Sequence, residues 1–553
     1  MTDTAVFPDL PPHYYLANFA SIIDTVTLRY GDLLTQEEGD WITAFHDLPT
    51  NAQCLLVRFL SRKGHWFRED KLNYPEIDNL PHAISSLAEA TFIDIERTPP
   101  FDVLCSLLTK PELLSHFDVL PLDKKSKKAD LIEEIATHSP TAEPLTFSCL
   151  HVRLDVMPIF LLLYFGNARQ DLSQFVLSDL GIQRFESVSL TAEVRLFTSR
   201  DQMKDWLDLS SLSEQYWQLS EKKDKHALLE LSKALPFTTA WPPLERKRQR
   251  LINQLAREQE RAGNIEEAML LFSQSSLPPS RERQARIAMK QSDWSRACEW
   301  VNDMLASPFN EDEKDVAARI AKQLAKKTDF DCPVATEHLY EALHLSLPLD
   351  TRVEVASAAH FTEQGWTVWF SENLLLNALF GLTFWDIIYS PVSGAFLNPF
   401  QRSPRDMFSS EFYAARQSAI EERLHALAQQ TQEESVKQRL ATFEQKYGLA
   451  NDWVVWGYID KEQITAALLS LTPPQLVACF ERILFDPKSN RAGHPDLFMV
   501  KGNTCQFIEV KGPGDKLQHH QVRWLNFLNS HHIISKVLYV EDANKSPCSN
   551  ANS

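Results

Sequence analysis

The sequence predicts a multidomain, mainly α-helical chain that carries one small α/β core near its C-terminus. Three observations predict it. The length, 553 residues, leaves room for about three to five domains. Glycine is scarce, 15 residues in the whole chain, which favours helix and argues against glycine-rich cofactor loops. Two apolar runs flanking Lys501-Gly502-Asn503 read as strands joined by a tight hairpin. With 44% hydrophobic and 24% charged residues, the chain has a globular composition and not a disordered one. The formal charge is 56 − 74 = −18, so the surface is not coated with basic charge, although a local basic groove can sit inside an acidic protein.

Other classes are excluded by the same bulk features. The start, Met1-Thr2-Asp3-Thr4-Ala5, lacks a basic n-region and an apolar h-region, so no secretory signal is expected. The longest apolar run, 157–165, is too short to span a membrane. The eight cysteines form no Cys-x-x-Cys pair, which argues against a structural zinc site and for reduced, buried thiols. The expected location is cytoplasm or nucleoid in a prokaryote and nucleus in a eukaryote.

The elements follow in order. Residues 1–95 read as a helical domain in which Cys54–Leu60 is helix and Ser61–Arg68 a basic, aromatic turn that could meet a phosphate backbone. Residues 101–140 hold two short helices and a lysine-rich turn, Asp123-Lys124-Lys125-Ser126-Lys127-Lys128. This resembles the SAP motif, a helical hairpin that binds duplex DNA. In that reading Lys124, Lys125, Lys127 and Lys128 contact phosphates without sequence choice. The run Ser139 to Pro144 has linker composition and marks an expected boundary. Residues 145–345 are expected as one repeat domain, mixed over 145–205 with a short strand near Glu193 to Phe197 and reading as helical hairpins from about 210. Within them Ala262-Gly263-Asn264 to Ala268 and Gln291-Ser292-Asp293 to Ala297 look alike, the pattern of degenerate tetratricopeptide-type repeats. Two basic clusters fall in these repeats. Arg246, Lys247 and Arg250 belong to one and Arg281 and Arg283 to the other, and both are candidates for phosphate binding.

The chemistry concentrates in 355–545. Period-two alternation places Glu509 and Lys511 on one face of the second hairpin strand, with Ile508 and Val510 on the other. Asp496 opens the first strand, thirteen residues earlier (509 − 496), at the same end of the hairpin. Phosphodiester hydrolysis needs oxygen ligands for a hard divalent cation, an activated water and positive charge for the developing phosphorane. Asp496 and Glu509 supply carboxylates, the Val510 carbonyl a further ligand, and Lys511 the positive charge. This is the PD-(D/E)xK arrangement. Arg491 precedes the Pro495-Asp496 turn and is placed to contact a phosphate. Asp386 reads as a structural hydrogen-bonding residue amid apolar neighbours. The carboxylate-rich set selects magnesium or manganese, so His494, His519 and His520 are not expected as ligands.

Pro495-Asp496, Glu509-Val510-Lys511-Gly512-Pro513, Asp515-x-Leu517 and Gln521-x-x-Trp524-Leu525 resemble the VRR-NUC nuclease domain. With Glu372, Phe380 to Tyr389, Pro404-x-Asp406 and Phe412-x-x-x-Arg416 upstream, the chain is similar to the Fanconi-anaemia-associated nuclease family. The resemblance implies that Glu372, in the helix before the Phe-Gly-Leu block, is a metal ligand and that Gln521 lies beside the active site. It implies a structure-specific DNA nuclease with 5′-flap endonuclease and 5′-to-3′ exonuclease activity in interstrand crosslink repair. It also implies two Mg2+ or Mn2+ ions, branched or 5′-flap DNA as substrate and a basic pocket for a 5′ phosphate. Longer members carry a ubiquitin-binding zinc finger, which no cysteine pair here could build, so the likeness is to a short form. The helical repeats offer a surface for repair-protein partners. The alternatives are a Holliday-junction-resolving or restriction-type nuclease on the same core, and a catalytically inactive DNA-repair scaffold.

Overall fold

The computed structural model describes residues 13–138, 143–170, 172, 183–332, 338–502 and 504–545. The chain forms two compact units. The first comprises residues up to 184, 190–200 and 397–400, and the second comprises 185–189, 201–396 and 401–553. Among the described residues no single helix is long and apolar enough to cross a membrane.

The first unit begins with helices Tyr14–Tyr30, Gln36–Asp47, Thr50–Leu60 and Leu80–Glu89. Thr35 and Glu38 form a reciprocal capping box that starts the second of these, satisfying two orphan backbone donors. The expected turn after residue 60 is present, with Gly64 at φ 90°, and leads into strand β1, Trp66–Arg68. Strands β2, Ile93–Glu96, and β3, Cys149–Val152, complete an antiparallel sheet in the order β1-β3-β2.

Between β2 and β3 lie three short helices, Phe101–Leu107, Lys110–His116 and Lys128–Thr137, closed around Leu104, Leu113, Leu131 and Ile135. The expected boundary at 138–144 is therefore corrected. Residues 139–142 lie outside the described residues, but β3 follows them and occupies the centre of the N-terminal sheet. The proline-containing run signals a connection, and such a connection can return to the same sheet as readily as leave it. Helix Met157–Phe165 belongs to this unit as well. The strand expected near Glu193 is a 3-10 turn, Ala192–Val194, whose following residue Arg195 holds Asp32.

The second unit contains the helical hairpins. Pro242–Ala262 pairs with Ile265–Ser273, and Ser280–Lys290 with Trp294–Ala306, before a further helix, Glu311–Leu324. Ala268 and Ala297 are fully buried four residues after Asn264 and Asp293, where a small side chain lets the paired helices approach. The repeats end earlier than residue 345. Strand β4, Glu341–Leu347, already belongs to a five-stranded sheet with β5, Thr367–Phe370, β6, Leu497–Lys501, β7, Thr504–Lys511, and β8, Ser535–Asp542. The order is β4-β8-β7-β6-β5. β8 pairs in parallel with β4 and β7, whereas β6 pairs antiparallel with β5 and β7.

One sheet face is apolar. Leu497, Met499, Ile508, Val510, Leu538 and Val540 pack with Phe361 and Val353 of helix Val353–Glu363. The other face carries Glu509 and Lys511, and helix His519–Ser530 connects the parallel strands β7 and β8, as a parallel pair requires a crossover. Helix Leu375–Thr383 is buried along its whole length. Its Gly381 faces Trp453 and Val454 so closely that a Cβ would lie 2.7 Å from Trp453 Cβ and 2.9 Å from Val454 Cγ2. Gly381→Ala is therefore expected to destabilise the protein by about 1–3 kcal/mol through overpacking, read as a lower denaturation midpoint. An unchanged midpoint would show that this contact relaxes freely.

Candidate active site

The hairpin forms the floor of the site. Phe507 N–H donates to Ile534 O, 2.9 Å away, so the odd-numbered backbone groups of β7 face β8 and the even-numbered ones face β6. The ladder between β6 and β7 ends at the pair Leu497 and Ile508. Val510 thus presents its backbone edge where β6 has stopped. Asp496 Oδ2 accepts the Val510 N–H at 2.7 Å, which pins the carboxylate against β7. The Val510 carbonyl points to the same edge, where the sequence reading placed a ligand.

Glu509 is fully buried on the opposite face from Ile508 and Val510. Its Oε1 accepts from Lys511 Nζ at 2.7 Å, while Oε2 is buried with no hydrogen-bond partner. Burial, with Asp496 close by, pushes the Glu509 carboxyl up to about 8. Burial also pushes Asp496 up to about 6, and the charge of Glu372 adds to the rise at both groups. Three carboxylates therefore lie near enough to act on one another's charge, a mutual repulsion that a divalent cation relieves, although among the described residues no three of them are already gathered at ligand distance. The orphaned Glu509 oxygen fits that role, as an unsatisfied buried acceptor is costly without a partner.

Glu372 reaches the site from β5. Ser371 N–H donates to Asp496 O at 2.8 Å and Ser371 Oγ to Pro495 O at 2.9 Å, which locks the two strand ends together. This corrects one expectation. Glu372 lies in the turn before helix Leu375–Thr383, not in a helix. Glu372 is exposed, as a ligand open to substrate and solvent must be.

Gln521 sits in the first turn of helix His519–Ser530, where its Oε1 accepts the Gln518 N–H at 2.9 Å. Its side-chain oxygen thus caps the helix and leaves the amide N–H groups for the site. The neighbouring His520 lies close enough to Lys511 and Glu372 to feel both charges, although burial is the larger cause of its lowered pKa. His494 is buried edge-on against Trp524, with ring centroids 4.4 Å apart, and Nε2 lies 3.0 Å from Asn490 O. Burial pushes it down to about 3 and keeps it neutral. Arg491 stacks on Phe408 at 4.5 Å and donates to Asp452 O at 3.2 Å. Asp386 is exposed, not enclosed by its apolar neighbours, and its carboxylate takes a two-pronged ion pair from Arg423.

The basic clusters separate into three kinds. Lys124, Lys125 and Lys127 are exposed at the start of helix Lys128–Thr137, while Lys128 is half-buried and reaches Ser106 O at 3.4 Å. Lys247 lies 4.6 Å over the Trp206 ring and bonds Ser210, and burial followed by Arg405 pushes it down to about 8. Arg246 pairs with Glu411, and burial followed by Arg250 and Arg405 pushes it down to about 10. Arg250 itself is exposed. Like charges gathered in this way receive an anion well, and Arg405, which sequence reasoning missed, completes the group.

Arg281 and Arg283 differ. Arg281 holds Glu313 and the Ser307 carbonyl, and Arg283 holds Glu260, a carboxylate also bound by Arg257. Each of these charges is engaged inside the helical hairpins, much as Arg246 is engaged by Glu411.

Sequence reasoning also missed the buried support of the catalytic turn. His494 N–H donates to Asn373 Oδ1, and Asn377 Nδ2 donates to the carbonyls of Asn373 and Arg491. Asn490 Nδ2 donates to Glu311 Oε1, and Glu311, 2% exposed, also pairs with Arg482 and receives charge from Arg523. The last repeat helix is thereby tied to the turn that carries Asp496. Isolated asparagines and one helix-initial glutamate give no sequence signal for such a role.

Comparison with known proteins agrees with this geometry. Residues 13–94 match the FAN1 HTH domain, 101–146 the Fanconi anemia-associated nuclease SAP domain and 431–542 the VRR-NUC domain. The Fanconi-associated nuclease 1 homolog of Pseudomonas aeruginosa is 34% identical over 548 residues, covering 96% of this chain and 97% of that protein. The chain belongs to the Fanconi-associated nuclease 1 family. As a member it is a structure-specific DNA nuclease, a phosphodiesterase of a metal-dependent class. The human Fanconi-associated nuclease 1 is 23% identical over 624 residues, and this chain spans 61% of its length. A solved structure described as paFAN1 bound to 2nt 5′ flap DNA with gap superposes with a TM-score of 0.79 at 34% identity, covering 96% of this chain and 99% of that one.

Proposed function

We propose that this nuclease cuts branched DNA near a 5′ end, as a 5′-flap endonuclease and 5′-to-3′ exonuclease in interstrand crosslink repair. The observation that carries the reading is Asp496 pinned on the Val510 N–H beside the half-satisfied Glu509 that holds Lys511, with Glu372 near enough for its charge to act on both carboxyls. The likeness to a relative solved with 5′-flap DNA supports the substrate class. Glu372, Asp496, Glu509 and the Val510 carbonyl would hold Mg2+ or Mn2+, two ions in this reading. Bound there, the ions supply Lewis acidity and a water of lowered pKa.

The protein's own residues do the rest. Lys511, held by Glu509, offers a proton-bearing cation to the charge that develops on the phosphorus oxygens. Asp496 is fixed by the Val510 N–H, so no reorganisation precedes the step. The Gln521 amide and Arg491 are placed to orient the strand. Arg246, Lys247, Arg250 and Arg405 form the candidate pocket for the terminal phosphate, and the exposed lysines of 124–127 grip duplex backbone. The inactive-scaffold alternative requires a broken catalytic set, whereas Asp496, Glu509 and Lys511 are all present.

The reading is tested with end-labelled 5′-flap, 3′-flap, fork and four-way substrates, with Mg2+, Mn2+ or chelator. Cation-dependent incision of the flapped strand near the 5′ junction is expected, and symmetrical cutting of four-way junctions alone would overturn it. Replacing Lys124, Lys125 and Lys127 together by Ala is expected to weaken binding to every duplex equally. It should also lower the log–log salt slope by about 2–3. An unchanged slope would remove these lysines from the interface.

A further inference from the structure

The catalytic face of the sheet continues past Lys511 to the sheet edge. Lys511 is opposite Tyr539 on β8, and Tyr539 is opposite His344 on β4, so the three side chains form one cross-strand row on a single face. β4 is the outermost strand on that side. His344 stacks on Tyr539, with centroids 5.3 Å apart and planes 19° from parallel. Tyr340 is near enough to Tyr539 for that phenol to add, after burial, to the rise in its own pKa. His338 follows at 5.1 Å from Tyr340. Both histidines are exposed and both tyrosines half-buried, and neither phenol hydroxyl has a hydrogen-bond partner among the described residues. The stretch before β4 is anchored, because Leu339 N–H donates to Asn526 Oδ1 at 2.9 Å on the helix that carries Gln521.

Two of these rings, His344 and Tyr539, stand on neighbouring strands and two, His338 and Tyr340, lie just before β4, outside the inner part of this face that Phe498, Phe507 and Val537 fill. Aromatic rings in a row with a catalytic lysine match what unpaired nucleobases require, a series of flat faces that accept any base. We propose that His338, Tyr340, His344 and Tyr539 form a stacking platform for the unpaired nucleotides of the DNA substrate, leading away from the scissile phosphate across β8 and β4. The inference rests on the nuclease reading above and adds the path of the single strand.

The test uses the full chain carrying Asp496→Asn, which binds without cutting. Affinities are measured for a nicked duplex and for the same duplex bearing a short 5′ flap with 2-aminopurine in the flap. Adding Tyr340→Ala and His344→Ala should lower the affinity ratio of flapped to nicked DNA about tenfold and relieve the quenching of 2-aminopurine. Tyr340→Phe with Tyr539→Phe keeps the rings and should leave the ratio as in the parent. An unchanged ratio, or equal weakening on both substrates, overturns the platform. Failure of the nuclease reading is distinct, since the wild type with Mg2+ would then cut neither substrate.

Discussion

Asp496→Asn is expected to lower cleavage about a thousandfold or more while raising the stability of the cation-free protein. The two effects have one origin. Asn keeps an oxygen for the Val510 N–H, so the turn survives, but it removes a carboxylate from the cation-binding set. Loss of several kcal/mol of charge stabilisation in the transition state corresponds to about three orders of magnitude in rate.

The stability gain follows from the sign of the shift. Asp496 has its carboxyl raised from 3.8 to about 6 by burial. The folded state therefore favours the protonated form, an advantage complete below pH 4 and lost as pH rises through about 6. At pH 7.5 the ionised group costs stability, and its removal should return about 1–3 kcal/mol in chelator. Denaturation of the two proteins in chelator and in Mn2+ checks this. A variant that cuts at the wild-type rate, or that is destabilised without metal, contradicts the assignment.

Gly493→Ala is expected to reduce the rate about a hundredfold with a smaller loss of stability. Gly493 has φ 90°, which side-chain-bearing residues rarely adopt, and an added Cβ would lie 2.8 Å from the backbone carbon and oxygen of His520. Backbone cannot swing aside as a long side chain can. The turn holding Asp496 and the first turn of helix His519–Ser530, with Gln521, must separate. A misplacement of about 1 Å in a catalytic constellation costs on the order of a hundredfold in rate. DNA affinity should change little, because the basic residues of 124–127 and 246–250 lie elsewhere in the chain. Equal losses in rate and affinity would indicate a general structural effect instead.

The hairpin was legible because its signals are local. Alternation in Phe507-Ile508-Glu509-Val510-Lys511 fixes which side chains share a face, and the structure places Ile508 and Val510 in the core and Glu509 and Lys511 opposite. The repeats were legible for the same reason, through Ala268 and Ala297. Strand β3 was not, because a four-residue strand pairing with partners about eighty and fifty residues earlier leaves no periodic trace. Strand β4 was hidden likewise, its partner being β8 at the end of the chain.

The arginines show a further limit. Arg281 and Arg283 are held by Glu313 and Glu260 from 32 and 23 residues away, and Arg246 by Glu411, while Arg250 stays exposed. Whether a cation is free for phosphate depends on carboxylates that only the fold brings near.

The central claim is that Glu372, Asp496 and Glu509 together form the cation site that drives hydrolysis. Calorimetric titration of Mn2+ into the chelated protein near pH 7 tests it most directly. Because Glu509 is raised to about 8, it is largely protonated there, and ion binding must release a proton that buffers of different ionisation enthalpy reveal. The account predicts binding with proton release in the wild type, and loss of both in Glu509→Gln and Asp496→Asn. Mn2+ binding that persists unchanged in either variant would contradict it.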